Sequence, residues 1–427
     1  MNNVRILAQG QTVSNDTWVT GLNNNDVIIG PSGSSKTRGY VIPNILQCSE
    51  SMIITDTKGS LRQKVGPALE RAGCKVLEVN LSDCLASPCG YNPLEHIRYD
   101  PQRDTYHEQD ILTVAACLVP LNSYDTFWDF FARMLLEGLI SYVLECLPEE
   151  EHTLHIVARL LQEMGGKNFD DLFQELEQIA PDCFAVSRYK MFHLAKNAEK
   201  MYSSVQGILA ANLSAYVFEG AKALFQNPQK IRFPDLGREK TAVFLTVSDT
   251  DRSMDGLANL FYTQALQSLC QAADQSPGHR LAVPVRLILD DFAANACIPD
   301  FDKMISVIRS REISVSIILQ SLSQLNALYG DSRAKTILNN CDHCLYLGGQ
   351  DVETAAYISK KANRPVSEIL NMPLDSAWLF TRGGSPKQVK KFRLENHPRC
   401  RELSESRCAN YEKEPQKTVV DVQPVLC

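Results

Sequence analysis

The clearest indication of the fold of this chain is the segment Asp26-Val-Ile-Ile-Gly-Pro-Ser-Gly-Ser-Ser-Lys-Thr37. Its apolar residues predict a buried strand that ends at Ile29, a turn rich in glycine and serine follows, and Lys36 and Thr37 open a helix. A turn between strand and helix binds phosphate, because its backbone N–H groups and the helix N-terminus point at the anion. The segment therefore predicts a nucleotide-binding α/β domain.

The side chains of this loop divide the work of binding a nucleotide. Lys36 would neutralise the β- and γ-phosphates of ATP, and the Thr37 hydroxyl would bind Mg²⁺. The usual pattern has glycine before the lysine, where this chain has Ser35; a positive φ there would add strain of about 1–3 kcal/mol. Taken alone, a serine-rich turn with a surface lysine is the alternative. The predicted nucleotide-binding residues are Gly30, Pro31, Ser32, Gly33, Ser34, Ser35, Lys36 and Thr37.

A second apolar strand, Arg286-Leu-Ile-Leu-Asp-Asp-Phe292, ends in two carboxylates. In ATPases with a phosphate loop, the first acid of such a strand orders the Mg²⁺ shell and the next acid orients the attacking water. We assign Asp290 to the metal and Asp291 to the water. Many of these ATPases have glutamate at the second position, and the shorter aspartate predicts slow chemistry or a sheet closer to the nucleotide. The alternative is a strand that ends in solvated acids.

Short apolar runs alternate with helical patterns along most of the chain, which predicts an α/β fold with a mostly parallel, doubly wound sheet. From about Pro101 to Asn227 there is hardly a strand candidate and several amphipathic helices are visible, so we predict an all-helical insertion domain over residues 96–229. The nucleotide-binding domain then comprises residues 1–95 and 230–400, and residues 401–427 form a polar tail. The predicted strands are Val27–Ile29, Met52–Ile54, Val76–Val79, Ala242–Val247, Val285–Leu289, Ile313–Leu319 and Trp378–Phe380.

The composition excludes several classes of protein. Hydrophobic residues make up 44% and charged residues 22% of the 427, which is typical of a globular protein and not of a disordered or fibrous one. The net charge of −7 means that any contact with DNA must come from a local basic channel. The most apolar helical stretch, Phe130–Leu147, is interrupted by Arg133, Glu137 and Glu145, so we predict no membrane-spanning segment in this chain.

Two further patterns leave alternatives open. The aromatic cluster Phe127-Trp128-Asp129-Phe130 opens the helical region; we favour a role in its hydrophobic core over stacking on single-stranded bases. The basic run from Lys387 to Arg393 is either a surface for a phosphate backbone or a solvated edge strand protected by lysines.

Several motifs, taken together, resemble those of the type IV secretion coupling proteins, the hexameric ATPases of conjugative DNA transfer. The resemblance covers about residues 25–398. Its most specific stretches are Lys36-Thr-Arg-Gly-Tyr-Val-Ile-Pro-Asn-Ile-Leu46, Ile54-Thr-Asp-Thr-Lys-Gly59, Ile308-Arg-Ser-Arg-Glu-Ile-Ser-Val-Ser-Ile-Ile-Leu-Gln320 and Asn340-Cys-Asp with Leu347-Gly-Gly349.

The resemblance implies a RecA-like phosphate-loop domain interrupted by an all-helical domain. It also implies a homo-hexameric ring at the cytoplasmic face of the membrane that delivers a relaxase–DNA complex, or protein substrates, to a secretion channel with ATP and Mg²⁺. Gln320 resembles the polar residue that reports the γ-phosphate to the DNA side. Arg309 and Arg311 are candidates for a finger that reaches a neighbour's site, with an exposed helix-end arginine as the alternative.

The chain departs from the family pattern in ways that shape our expectations. Members usually begin with membrane helices, so we expect a peripheral protein that docks on a membrane-anchored partner, or the loss of such a segment. Ser35 and Asp291 replace glycine and glutamate and predict impaired turnover. The alternatives to a DNA-transfer motor are a catalytically weak nucleotide-binding adaptor for secretion substrates and a coupling ATPase for effector proteins alone.

Overall fold

The computed structural model describes residues 3–121, 126–164, 169–193, 199–292 and 297–403. The predicted tail, residues 401–427, lies outside these ranges except for its first three residues. Within them the chain forms thirteen strands: β1 (Val4–Ala8), β2 (Gln11–Ser14), β3 (Asp26–Ile29), β4 (Ser51–Asp56), β5 (Lys75–Asn80), β6 (Tyr99–Asp100), β7 (Thr105–Tyr106), β8 (Thr241–Thr246), β9 (Val285–Leu289), β10 (Ile313–Leu319), β11 (His343–Tyr346), β12 (Ser376–Thr381) and β13 (Lys387–Lys390).

Nine of these strands form one twisted sheet in the order β13-β12-β11-β3-β10-β9-β4-β8-β5. The strands from β11 to β5 are parallel to their neighbours, and β12 and β13 join the edge antiparallel. All seven predicted strands are present. The sequence did not predict β11, a four-residue strand between β12 and β3, or the ribbons β1–β2 and β6–β7.

The central strands are buried on both faces, which explains their continuous apolar runs. In β3, Val27 and Ile29 pack into the core on one face of the sheet, and Ile28 packs into the core on the other. Helices separate the strands along the chain: α1 (Thr17–Thr20), α2 (Ile42–Gln47), α3 (Ser60–Arg71), α4 (Glu108–Leu118), α5 (Thr126–Cys146), α6 (Leu154–Glu163), α7 (Phe169–Ile179), α8 (Phe184–His193), α9 (Glu199–Leu213), α10 (Glu219–Gln226), α11 (Asp255–Gln275), α12 (Phe301–Val307), α13 (Leu322–Tyr329), α14 (Asp331–Asn339), α15 (Val352–Ala362) and α16 (Val366–Leu370).

Seven helices, α4 to α10, occupy the chain between β7 and β8, so an all-α region interrupts the sheet. The interval predicted to be all-helical also holds the small ribbon of β6 and β7. The predicted limits of the two domains stay predictions. Because β3, β10, β9 and β4 are adjacent and parallel, the loops that follow them meet at one edge of the sheet.

Buried charged side chains lie where β3 and β9 begin, at the end of the strands opposite the loops that follow them. We call Arg5, Asp26, Glu50, Arg286 and His343 the buried ion cluster. The Asp26 carboxylate accepts a hydrogen bond from Arg5 Nε at 2.8 Å and lies 3.6 Å from Arg286 Nη1. Arg286 Nε also donates to the Glu50 carboxylate at 2.5 Å. Asp26, Arg5 and Arg286 are each only 1% exposed. The cluster therefore ties the starts of several strands together without contact with solvent.

Candidate nucleotide site

The turn after β3 is held against the neighbouring strand. The Gly30 N–H donates to the Leu319 carbonyl at the end of β10 (3.0 Å), and the Ser34 N–H donates back to Pro31 (3.2 Å). A Cβ atom added to Gly30 would lie 2.5 Å from Ser34 Oγ and 3.0 Å from Leu347 Cβ, so any larger residue would force these neighbours to shift. The turn is thus a compact loop held by a backbone hydrogen bond of its own and by one to the end of β10.

Two residues of the loop have a left-handed backbone. Gly33 has φ +77° and Ser35 has φ +74°. Glycine adopts this conformation freely, whereas serine has a Cβ atom that disfavours it. The condition for strain at Ser35 is therefore met, and the loop keeps a conformation in which glycine is the favoured residue.

Lys36 lies inside the loop. Its Nζ donates to the carbonyls of Gly30 (2.7 Å) and Pro31 (3.1 Å), and the side chain is buried. Burial lowers the pKa of the Lys36 ammonium, and the carboxylates of Asp291 and Asp290 oppose that effect. A charged donor held between loop and acids can move to a phosphate oxygen over a short distance.

The acidic strand end faces the loop. Thr37 Oγ1 donates to Asp290 Oδ2 at 3.1 Å, which joins the segments that follow β3 and β9, the two strands on either side of β10. The Asp291 N–H donates to Asp290 Oδ1 (3.1 Å), and Gln320 Nε2 lies 3.4 Å from Asp291 Oδ1. The structure therefore brings together five residues that the sequence predicted: Lys36, Thr37, Asp290, Asp291 and Gln320.

The two acids lie in different surroundings. Asp290 is buried and Asp291 is half-buried with φ +48°. Burial and the neighbouring carboxylate of Asp291 raise the pKa of Asp290 to about 6, while the Thr37 hydroxyl and Lys36 lower it. Thr37 and Asp290 offer hard oxygen ligands on one side of the loop, which fits Mg²⁺ held by few protein ligands and by phosphates.

We expect Asp290→Asn to stabilise the metal-free protein at neutral pH. Asp290 has a folded pKa of about 6 against an ordinary value of 3.8, so its ionisation favours the unfolded chain. The free-energy cost of ionising Asp290 in the folded protein is absent below about pH 4, grows as the pH rises to 6, and stays at about 1–3 kcal/mol above pH 6. Denaturant unfolding at pH 4.5 and 7.5 should show that the free energy of unfolding of the variant, relative to that of the parent, is larger at pH 7.5. A pH-independent difference would contradict this.

The two predicted finger arginines lie elsewhere. Arg309 and Arg311 precede β10, at the edge of the sheet opposite the loop. Arg311 forms two hydrogen bonds with Asp274, from Nε at 2.8 Å and from Nη2 at 3.0 Å, and Arg309 donates to the Gly21 carbonyl. Within one chain neither arginine approaches the loop, so a finger role requires a second subunit and stays a prediction.

The cleft beside the loop has two further walls, and only one of them includes a stretch that the sequence analysis singled out. Its volume is about 1870 Å³, more than the roughly 300–1,000 Å³ of most ligand sites. One wall is the start of α3, where Asp56 caps the helix by accepting hydrogen bonds from several backbone N–H groups. The other wall is the segment Leu394–Leu403, which no motif marked as functional. Contacts distant in sequence create this wall, so local patterns could not reveal it.

A loop between strand and helix that faces an acidic strand end in a mostly parallel sheet is the arrangement of the RecA-like phosphate-loop fold. Residues 3–363 match the family described as type IV secretory system conjugative DNA transfer. The chain belongs to this family. Among the described residues, no helix has both the length and the apolar character needed to cross a membrane.

Several relatives resemble this chain in sequence, and solved structures share its fold. The chain is 25% identical over 336 residues to Protein VirD4 of Rhizobium radiobacter (78% of this chain, 47% of the relative). It is 23% identical over 352 residues to the conjugal transfer protein TraG of Escherichia coli (77% and 53%). It therefore spans about half the length of these curated relatives. The fold matches the plasmid coupling protein TrwB in complex with ADP and Mg²⁺ (TM-score 0.63, 19% identity, 86% and 85% covered).

Proposed function

We propose that this chain is an ATP-hydrolysing coupling protein that brings a relaxase–DNA complex or a protein substrate to a type IV secretion channel and drives its transfer. The observation that carries the proposal is the 3.1 Å hydrogen bond from Thr37 to Asp290, next to the buried Lys36. It joins the two halves of an ATPase site that are more than 250 positions apart in the sequence.

The geometry supports a role for each residue in hydrolysis. Lys36 would exchange its two carbonyl partners for β- and γ-phosphate oxygens, and Thr37 and Asp290 would hold Mg²⁺. When bound, Mg²⁺ supplies positive charge that offsets the charge developing on the phosphates. Asp291 would orient the attacking water, and Gln320 would hold Asp291 and link it to the end of β10.

The names of the related proteins support the wider role. VirD4 and TraG match over most of this chain, TraG is named for conjugal transfer, and TrwB is a plasmid coupling protein seen with an ATP analogue and with ADP and Mg²⁺. We propose the same association here: single-stranded DNA and relaxase as partners, a homo-hexamer, and a peripheral position at the cytoplasmic face of the membrane beside a membrane-anchored partner and the channel.

The aromatic cluster contributes to the DNA part of the proposal. Phe127 and Phe130 are about half exposed, whereas Trp128 packs against the core of the helical region. The predicted core role therefore describes Trp128, and the two phenylalanines offer faces on which bases could stack.

The test is ATP hydrolysis by the purified chain with Mg²⁺ and with EDTA, in the presence and absence of single-stranded DNA. We expect hydrolysis that requires Mg²⁺ and rises with DNA. Light scattering with and without ADP would report the oligomer. Absence of ATP hydrolysis under all of these conditions would refute the proposal.

One observation favours the catalytically weak adaptor as a second candidate. The left-handed backbone at Ser35 costs free energy in the loop conformation that binds phosphate. This cost weakens nucleotide binding, which precedes hydrolysis. Measurable ADP binding without turnover, together with tight binding of a relaxase, would support this candidate over the motor.

A further inference from the structure

Lys391 contacts the phosphate loop from outside the predicted site. It follows the edge strand β13, and its Nζ donates to the Ser34 carbonyl at 3.1 Å. The side chain is half-buried there, and the adjacent backbone is close as well, because a Cβ atom on Gly39 would lie 3.2 Å from the Phe392 carbonyl oxygen. The basic run that the sequence offered as a DNA surface or a solvated edge thus sends one lysine to the nucleotide site.

The contacted atom controls the strained residue. The Ser34 carbonyl belongs to the same planar peptide as the Ser35 N–H, so fixing the oxygen also fixes the direction of that N–H. The rotation of this peptide about the N–Cα bond of Ser35 is φ of Ser35, which is +74°. A serine left free would favour a negative φ and turn the peptide away.

We propose that Lys391 is a positioning residue that holds the Ser34–Ser35 peptide in the phosphate-binding orientation, in place of the conformational freedom that glycine would give. Its effect on nucleotide binding rests on the proposed function. Lys391 touches no phosphate in this arrangement: it acts through the loop. A chain with glycine before the lysine would need no such support, and this couples positions 35 and 391.

The test is a double-mutant cycle of Lys391→Met and Ser35→Gly, with the affinity for a fluorescent ADP analogue and Mg²⁺ as readout. Lys391→Met should weaken binding about tenfold in the parent, because a hydrogen bond to a charged group is lost, and by less than about threefold in the Ser35→Gly background. Ser35→Gly alone should tighten binding. Equal losses in both backgrounds would overturn the proposal.

A matched control separates position from charge. Lys390→Met removes the same charge one residue earlier, where Nζ is 2.6 Å from Asp375 at the surface, and should change binding by less than about twofold. A loss as large as that of Lys391→Met would indicate a general effect of charge and would overturn the proposal.

Hydrogen exchange provides a readout without nucleotide. The amides of Gly30 and of residues 32–37 should exchange faster in Lys391→Met than in the parent, while exchange in the central strands stays the same. If the parent binds no ADP, the proposed function fails, and the exchange data still decide this inference: unchanged exchange of the loop would overturn it.

Discussion

Lys36→Ala should abolish ATP hydrolysis, with a fall of at least about 10²–10³-fold, because the variant loses the preorganised charge beside the transferring phosphoryl group. Nucleotide affinity should fall as well, since the buried ammonium that the carbonyls of Gly30 and Pro31 hold is the charged donor that the loop offers to a phosphate. The measurement is steady-state phosphate release with Mg²⁺, accompanied by titration with ADP.

The stability of this variant distinguishes loss of a catalytic group from loss of the fold. Burial lowers the pKa of Lys36, so the charged form is disfavoured in the folded protein. We therefore expect Lys36→Ala to unfold at the same denaturant concentration as the parent or at a higher one. Lys75→Ala, an exposed lysine at the far edge strand, serves as a control with normal activity. Turnover that survives in Lys36→Ala would remove the site from the mechanism.

Asp26→Asn should destabilise the fold more than any surface substitution. Burial alone would raise the pKa of Asp26, but Arg5, His343 and Arg286 hold it well below its ordinary value. The variant leaves two buried guanidinium groups without their shared carboxylate, which costs about 3–5 kcal/mol when one partner of a buried pair is removed. Denaturant or thermal unfolding at pH 7 measures this loss.

The pH dependence of this effect has a fixed sign. Because the pKa of Asp26 is depressed in the folded protein, its ionised form stabilises the fold above about pH 4, and that stabilisation is lost as the pH falls below it. The gap between parent and variant should therefore narrow in acid. Asp331→Asn is the matched control: its partner Lys335 is exposed, and its loss should cost less than about 1 kcal/mol. An equal, small effect of both variants would show that the buried ion cluster does not stabilise the fold.

The sequence alone indicated seven of the nine strands of the large sheet and the two motifs that follow β3 and β9. Continuous apolar runs mark strands buried on both faces, and the loop before Lys36 and the acids after Leu289 are local patterns that need no partner to be recognised. The alternation of strands and helices then placed both motifs at one edge, where Thr37 and Asp290 meet. The sequence did not predict β11, because this short strand is recognised by its hydrogen bonds to β12 and β3 and not by a pattern in its own residues.

Contacts between side chains that are distant in the sequence appear only in the folded structure. Asp26 reads as the polar start of a strand, and only the approach of Arg5, Arg286 and His343 makes it a buried anion. Lys391 reads as one lysine in a basic run, and only the fold places its ammonium on Ser34. Both contacts join residues hundreds of positions apart or on different strands. Periodicity reports the faces of one element, whereas such contacts depend on how the elements pack against each other.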